Sequence, residues 1–149
     1  MPKRSYRMVL TAIAWVMLVF VLAGCSGGSE PPLATIKEGK TDIKAYQSSY
    51  CWGNVCADYA DAETMLKDEP ATVVNSGAAI SIAFKISAKP STVSLTQFKD
   101  GRPTEVPFSK GKMTAPTETG VYYYNVFASW GNGKLTKGDT SAAFAIEIK

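Results

Sequence analysis

Apolar and polar side chains alternate along much of the chain after residue 33, which is the pattern of half-buried β-strands. The alternation is clearest over residues 79–86, where Ile80, Ile82, Phe84 and Ile86 share one face. Further strands are predicted at residues 43–50, 92–98, 104–108, 120–130 and 142–148. Short strands at this spacing, separated by turn residues, predict a single antiparallel β-sandwich.

Two aromatic and apolar segments, 120–130 and 142–148, lie on either side of a glycine-rich loop. Their matching alternation predicts an antiparallel pair whose inward side chains meet in the core. The side chains expected to point inward are those of Tyr122, Tyr124, Val126, Phe144, Ile146 and Ile148. Residues 104–108 include a proline, which favours the edge of a sheet. One helical segment is predicted over residues 58–67, before Pro70.

The first 24 residues have a different pattern, in which a long apolar run follows a short basic segment. Lys3, Arg4 and Arg7 precede the run, which extends from Met8 to Val21 with Thr11 as its one polar residue. A run of about 14 residues is shorter than the ~20 that a membrane-spanning helix needs. The layout is that of a secretory signal peptide, and the alternative is a transmembrane helix.

The signal segment ends in Leu22, Ala23, Gly24 and Cys25, and this tetrapeptide resembles the lipobox of bacterial lipoproteins. The resemblance implies cleavage before Cys25, a diacylglycerol group and palmitate-type acyl chains on its sulfur, and a mature N-terminus at that residue. It also implies an extracytoplasmic protein that is anchored to the cell membrane by its lipid.

The net charge of the chain belongs to the signal peptide. The full sequence has 16 basic and 13 acidic residues, and three of the basic residues precede Cys25. The remaining 125 residues are therefore electrically neutral overall, and they lack the basic excess typical of nucleic-acid-binding domains. We expect no nucleic-acid partner.

The sequence contains no histidine. This removes the Ser-His-Asp and Cys-His nucleophile systems, the common zinc sites and the usual proton shuttle near neutral pH. Glycine-rich phosphate loops and nucleophile elbows are also missing from the sequence. We expect no catalytic residues, no bound metal and no cofactor.

Residues 51–56 predict a disulfide-closed β-hairpin. Gly53 and Asn54 suit a two-residue turn in which the glycine takes the positive φ. Cys51 and Cys56 would then face each other at a spacing that a disulfide accepts, and an exported protein meets an oxidising compartment. The alternatives are a redox-active pair and thiols that stay reduced or bind metal.

Aromatic side chains surround this predicted hairpin, and Tyr46, Tyr50 and Trp52 would share a face if the strand alternates regularly. They are either core packing or an exposed platform suited to a glycan, a peptide or a partner protein. Trp130 also precedes a Gly-Asn pair and could lie at the same end of the domain. The candidate binding residues are Tyr50, Trp52, Asn54, Tyr59 and Trp130.

Five carboxylates follow the hairpin within twelve residues: Asp58, Asp61, Glu63, Asp68 and Glu69. Their spacing does not match a calcium loop, so a solvated acidic surface is the first interpretation. A metal-ion or small-ligand site is the second. A pair of carboxylates acting in hydrolysis is the third, and it would require a cleft between them.

Residues 118–124 are similar to the acidic-x-Gly-x-Tyr-x-Cys stretch that opens strand F of immunoglobulin-like domains. The resemblance implies that the Tyr122 hydroxyl bonds to an upstream backbone group at one end of a sandwich. Tyr124 stands at the position of the family's second core cysteine. The predicted domains are thus a signal peptide at 1–24, a flexible tether at 25–32 and an Ig-like antiparallel β-sandwich with a short helical segment at 33–149.

As a whole, the chain resembles small Gram-positive cell-envelope lipoproteins that carry a Ser-Tyr-Cys-Trp segment, here residues 49–52. The resemblance implies a location and no particular activity. The expected function is that of a non-catalytic binding or accessory protein whose partner is an envelope protein or a wall polymer. The alternatives are an extracytoplasmic small-ligand or metal-ion binding domain and a small carboxylate-based envelope hydrolase.

Overall fold

The segments that alternate in sequence form strands, and the described part of the chain is mainly β with one short helix, as predicted. A computed structural model of the protein describes residues 30–131 and 138–149. The strands are β1 (Ala34–Glu38), β2 (Thr41–Ile43), β3 (Ala45–Trp52), β4 (Val55–Ala57), β5 (Thr72–Val73), β6 (Ala79–Phe84), β7 (Thr92–Lys99), β8 (Arg102–Glu105), β9 (Lys112–Thr114), β10 (Gly120–Trp130) and β11 (Gly138–Ile148), and the helix is α1 (Ala62–Leu66).

The strands form two sheets in a sandwich-like arrangement. The first sheet has the order β2-β1-β6-β9, and the second has the order β4-β3-β11-β10-β7-β8. All of these pairs are antiparallel, and the short strand β5 adds to β11 in parallel. Strand β8, which overlaps the segment predicted at 104–108, lies at an edge as expected.

The core lies between the sheets and is centred on the β10–β11 pair. Tyr122 faces Ile146 and Tyr124 faces Phe144, so the predicted register is confirmed. The six side chains predicted to point inward are at most 6% exposed. The Tyr124 ring stacks on Phe144 with centroids 5.0 Å apart, and its hydroxyl donates to the Gln97 side-chain oxygen at 3.0 Å. Burial raises the pKa of the Tyr124 hydroxyl, which keeps it protonated as a donor.

A second, smaller apolar cluster covers the outer face of the second sheet. Leu66 and Ala62 of α1 pack against Ala143 and Ala145, which alternate with the inward-facing residues of β11. The carboxylate of Asp61 caps the helix by accepting from the Thr64 backbone N–H at 2.9 Å. The helix is shorter than the predicted segment 58–67, because the chain becomes helical only after this cap.

The tyrosine hydrogen bond implied by the sequence resemblance is present. The Tyr122 hydroxyl donates to the Glu118 carbonyl oxygen at 3.0 Å, four residues upstream. Gly120, at the start of β10, has a φ of 144°, a value that L side chains rarely adopt. Together these residues fix how the chain enters the central strand.

Several strand boundaries differ from the predictions. The first strand was expected at residues 43–50, but β3 spans 45–52 and is preceded by the hairpin of β1 and β2. The charged side chains of this hairpin hide its alternation, and Lys37 pairs with Asp42 across it at 2.8 Å. The strand predicted at 104–108 lies at 102–105.

Strand β11 begins at Gly138 rather than at residue 142, since polar residues can also be buried in a strand when they are hydrogen-bonded. The Gln47 side-chain nitrogen donates to the Thr140 hydroxyl at 2.8 Å and to the Ser141 carbonyl oxygen at 2.9 Å. The short strands β5 and β9 were not predicted, because two or three residues are too few to show a period.

The predicted signal peptide at 1–24 and the lipid-modified Cys25 lie outside the described residues. Across residues 30–131 and 138–149, none of the helices has the length and apolar character to cross a bilayer.

Candidate functional site

The hairpin tip, residues 51–56, has the predicted geometry. Cys51 is the cross-strand partner of Cys56, and a disulfide joins them with their Cα atoms 4.1 Å apart. Trp52 and Val55 pair directly beside the turn. Gly53 has a φ of 60°, so it takes the left-handed conformation that this turn requires. The disulfide therefore closes a short exposed hairpin at the edge of the second sheet.

Trp52 is neither fully part of the core nor fully exposed, the two alternatives that the sequence left open. Its side chain is half-buried, and its ring contacts Trp130 edge to face with centroids 5.3 Å apart. Trp130 itself is only 2% exposed, and its indole N–H donates to the Ala88 carbonyl oxygen at 2.8 Å. Trp130 is therefore buried beneath Trp52, and its place among the candidate binding residues stays a prediction.

The expected common face holds for Tyr50 and Trp52 but is wrong for Tyr46. Between Thr140 and Ala142 the pairing of β11 with β3 shifts by one residue, because β3 has an extra residue there. A β-bulge of this kind reverses the face of the residues beyond it. Tyr46 consequently packs in the outer cluster with α1, while Trp52 turns towards Trp130.

The exposed surface of the tip is formed by other side chains. Asn54 is exposed, Val55 is 55% exposed and Tyr59 is 50% exposed, whereas Tyr50 is half-buried. The Tyr59 backbone N–H donates to the Ser49 hydroxyl at 3.0 Å, which holds the segment after β4 against β3. The hairpin tip exposes one amide side chain and one apolar side chain, and the segment after β4 exposes one aromatic side chain.

A groove between the two sheets, which was not predicted from the sequence, begins beside Trp130. Phe84 also contacts Trp130 edge to face, with centroids 5.4 Å apart, and it lines a cavity of about 550 Å³. A second hollow of about 330 Å³ shares Val93 and Phe108 with the first. We call the two together the inter-sheet groove. Its apolar lining is Ile82, Phe84, Pro90, Val93, Val106 and Phe108.

The acidic segment does not assemble into a site. Among the residues that the structure describes, no group of three or more carboxylate or cysteine side chains is placed to hold a metal ion. Glu63 accepts the Gly101 backbone N–H at 2.8 Å, and Glu69 accepts the Tyr46 hydroxyl at 2.6 Å. These carboxylates fasten the β7–β8 turn and the end of β3 to the helical segment.

Hydrogen bonds favour the ionised form of two carboxylates in this segment, Asp61 and Glu69. The Thr64 backbone N–H and hydroxyl lower the pKa of Asp61, and the Tyr46 hydroxyl lowers the pKa of Glu69. Lys44 lies 3.6 Å from the Glu69 carboxylate and adds to the second effect. A general acid at neutral pH needs a raised pKa, which is the opposite shift.

No protein-family model, curated protein or solved structure matches the chain. Its function is therefore argued from its own residues.

Replacing Trp52 with alanine should lower the free energy of unfolding by about 1–3 kcal/mol, because a half-buried ring that covers Trp130 is lost. Val55 is its cross-strand partner and is 55% exposed, so Val55→Ala is the matched control and should change stability by less than about 0.5 kcal/mol. Urea denaturation measures both variants. Similar losses in the two would show that the ring does not pack as described.

Proposed function

We propose that this protein is a non-catalytic, lipid-anchored binding or accessory protein of the cell envelope, built on an Ig-like β-sandwich. Its lipid is attached to Cys25, and its folded domain lies outside the cytoplasm, close to the membrane. The partner is an envelope protein or a wall polymer that contacts the domain on its hairpin tip or on the adjoining groove.

The Cys51–Cys56 disulfide is the observation that carries this proposal. Both cysteines are exposed, and a bond between exposed thiols persists in an oxidising compartment and is rare where thiols are kept reduced. An exposed disulfide therefore supports export, in agreement with the signal peptide and the lipobox-like tetrapeptide that ends at Cys25. The short tether at 25–32 would keep the domain within about 30 Å of the membrane.

The tip is suited to recognition because its backbone is held before a partner arrives. The disulfide and the Tyr59–Ser49 hydrogen bond restrain the strands on both sides of the turn. Restraint of this kind reduces the ordering cost of binding. The exposed side chains of Asn54, Val55 and Tyr59 would supply hydrogen bonding and apolar contact to the partner.

The two alternative functions receive less support. Hydrolysis by carboxylates needs a raised pKa in one group and an open cleft between the two. Here Asp61, Glu63 and Glu69 accept hydrogen bonds that hold the fold together. For metal binding, the described residues bring no group of three or more carboxylate or cysteine side chains together.

Replacing Cys25 with alanine should abolish incorporation of labelled palmitate and leave the protein as an uncleaved precursor or release it from the membrane. The thiol is the lipid acceptor in a lipobox, so its loss removes both modification and anchoring. Fractionation and palmitate labelling of cells measure the two effects, with Ser26→Ala as the control that should behave like the wild type. Normal cleavage with unchanged membrane retention in Cys25→Ala would contradict the anchor.

A further inference from the structure

In the inter-sheet groove, β6 of the first sheet and β7 of the second sheet each lose the pairing with their edge strand, β9 and β8. Strand β9 pairs with β6 as far as Ser81, and the Ile82 backbone N–H then donates to the Gly111 carbonyl oxygen at 2.8 Å. Residues two apart on a strand direct their backbone groups to the same edge. The N–H and C=O of Phe84 therefore face the groove beyond the last paired residue.

In the second sheet, the pairing of β7 with the edge strand β8 ends opposite Phe84. The Val106 backbone N–H donates to the Leu95 carbonyl oxygen at 2.9 Å, and the next residue is Pro107, which has no N–H to continue the ladder. Val93, two residues before Leu95, directs its backbone groups to the same edge. The chain then crosses from one sheet to the other at residues 106–111 and leaves an open strand edge on each side.

The floor of the groove is apolar. Its rim is basic at the larger cavity, which Lys89 and Lys110 line, and acidic at the smaller hollow, which the exposed Glu105 lines. Phe84, Val93 and Phe108 are half-buried and pack against the main core. Lys89 and Lys110 are exposed and line the same cavity from different loops. Within the described residues neither lysine forms an ion pair, since the three pairs present lie elsewhere. A ligand with an apolar side chain and a carboxylate would satisfy both features.

The backbone holds Lys110 in an unfavourable conformation. Its φ is 52° and that of Gly111 is 75°, in a tight turn where Ser109 and Lys112 exchange backbone hydrogen bonds at 3.1 and 3.0 Å. Turns with two positive φ values favour asparagine followed by glycine. A lysine there is strained relative to asparagine or glycine, and strain of this kind concentrates at functional positions.

The loop that carries Lys89 is fixed on the opposite side. The Trp130 indole N–H donates to the Ala88 carbonyl oxygen at 2.8 Å, and the Ser91 backbone N–H donates to the Ser129 carbonyl oxygen at 2.8 Å. The two anchors stand on either side of Lys89 and hold it over the groove. A binding site formed in advance in this way loses little entropy when a ligand enters.

We propose that the inter-sheet groove binds an extended peptide segment in which a carboxylate stands next to a large apolar side chain. The peptide backbone pairs with the open edge of β6 at Phe84, as in other cases of strand addition. Its apolar side chain lies on Phe108 and Val93, and its carboxylate lies between Lys89 and Lys110. The inference deepens the proposed function by naming the partner as a protein with such a segment.

The test is a selection from a random nine-residue peptide library on the full-length protein in detergent micelles. We expect enriched sequences that place Asp or Glu within two residues of a large apolar residue. The affinity of an enriched peptide should fall by about tenfold or more in the variant K89E/K110E, and it should weaken as salt is added. The control variant K40E/K67E reverses the charge of two exposed lysines outside the groove lining. It should bind the peptide with the affinity of the wild type.

A second variant separates binding from folding. Lys110→Asn relieves the strained φ, so its melting temperature should equal or exceed that of the wild type while its affinity for the peptide falls about threefold to fivefold. Lys40→Asn, in the turn between β1 and β2, is the matched control.

Enrichment of peptides without acidic residues, or affinity that K89E/K110E leaves unchanged, would overturn the inference. So would a protein that enriches no peptide and instead binds anionic vesicles through these lysines. None of these outcomes depends on the lipid, so failure here is distinct from failure of the Cys25→Ala test.

Discussion

Replacing Tyr124 with alanine is expected to lower the free energy of unfolding by about 3–5 kcal/mol, which is most of the stability of a small domain. The side chain is 1% exposed, stacks on Phe144 and donates to Gln97, so the substitution leaves a cavity at the centre of the sandwich. Chemical denaturation followed by circular dichroism measures the loss. The variant should be largely unfolded at 37 °C or should melt far below the wild type.

The neighbouring Tyr123 provides the matched control. It points to the opposite face of β10, where it is half-buried against the outer cluster. Tyr123→Ala should therefore cost less than half as much as Tyr124→Ala. Tyr124→Phe, which removes only the hydroxyl donor to Gln97, should cost about 1 kcal/mol. Equal losses in the two alanine variants would contradict the register of the central strand pair.

Gly138→Ala is expected to destabilise the protein by about 2–4 kcal/mol and to displace the Trp52 ring. A Cβ atom at this position would overlap the Trp52 ring and lie 2.9 Å from the Cys51 carbonyl oxygen. The backbone φ of 141° adds to the strain. Urea denaturation gives the loss of stability, and the near-ultraviolet circular dichroism of the tryptophan pair reports the displacement.

Gly39→Ala is the control that distinguishes the steric overlap of an added Cβ atom from the cost of a positive φ. Gly39 has a φ of 55°, and among the described residues, its two chain neighbours apart, no atom lies within 4 Å of the Cβ that an alanine would add. The loss there should be about 1 kcal/mol, from the positive φ alone. If Gly138→Ala costs no more than Gly39→Ala, the close contact between β11 and the hairpin tip is not present in solution.

The parts of the fold that depend on local patterns could be predicted from the sequence. Strands β6 and β10 follow from the regular alternation of large apolar residues such as Ile80, Ile82 and Tyr124. The hairpin tip follows from turn chemistry, because Gly53 accepts a positive φ at little cost and two cysteines flank the turn symmetrically. In each case the determining residues are neighbours in the chain.

The features that were missed depend on residues far apart in the chain. The bulge in β3 arises where Gln47 meets Thr140 and Ser141, more than 90 residues away, and it alone decides which face Tyr46 occupies. Without the bulge, regular alternation gives the wrong face. The alternation within one strand does not show where its pairing register with the neighbouring strand shifts.

The inter-sheet groove was missed for a related reason. It exists because the pairing of β8 and β9 stops early, and it brings together Lys89 and Lys110 from loops that have no common motif. Two local signals were available: Pro107 interrupts a ladder of backbone hydrogen bonds, and Gly111 suits a tight turn. Their joint consequence appears only when the two sheets are stacked.

Mass spectrometry of the protein purified from cell membranes tests export, lipid anchoring and closure of the hairpin tip in one experiment. We expect one species that begins at a diacylglyceryl-modified Cys25 and contains Cys51 linked to Cys56. A protein that begins at Met1, or one that carries free thiols at both Cys51 and Cys56, would show that the proposed function is wrong.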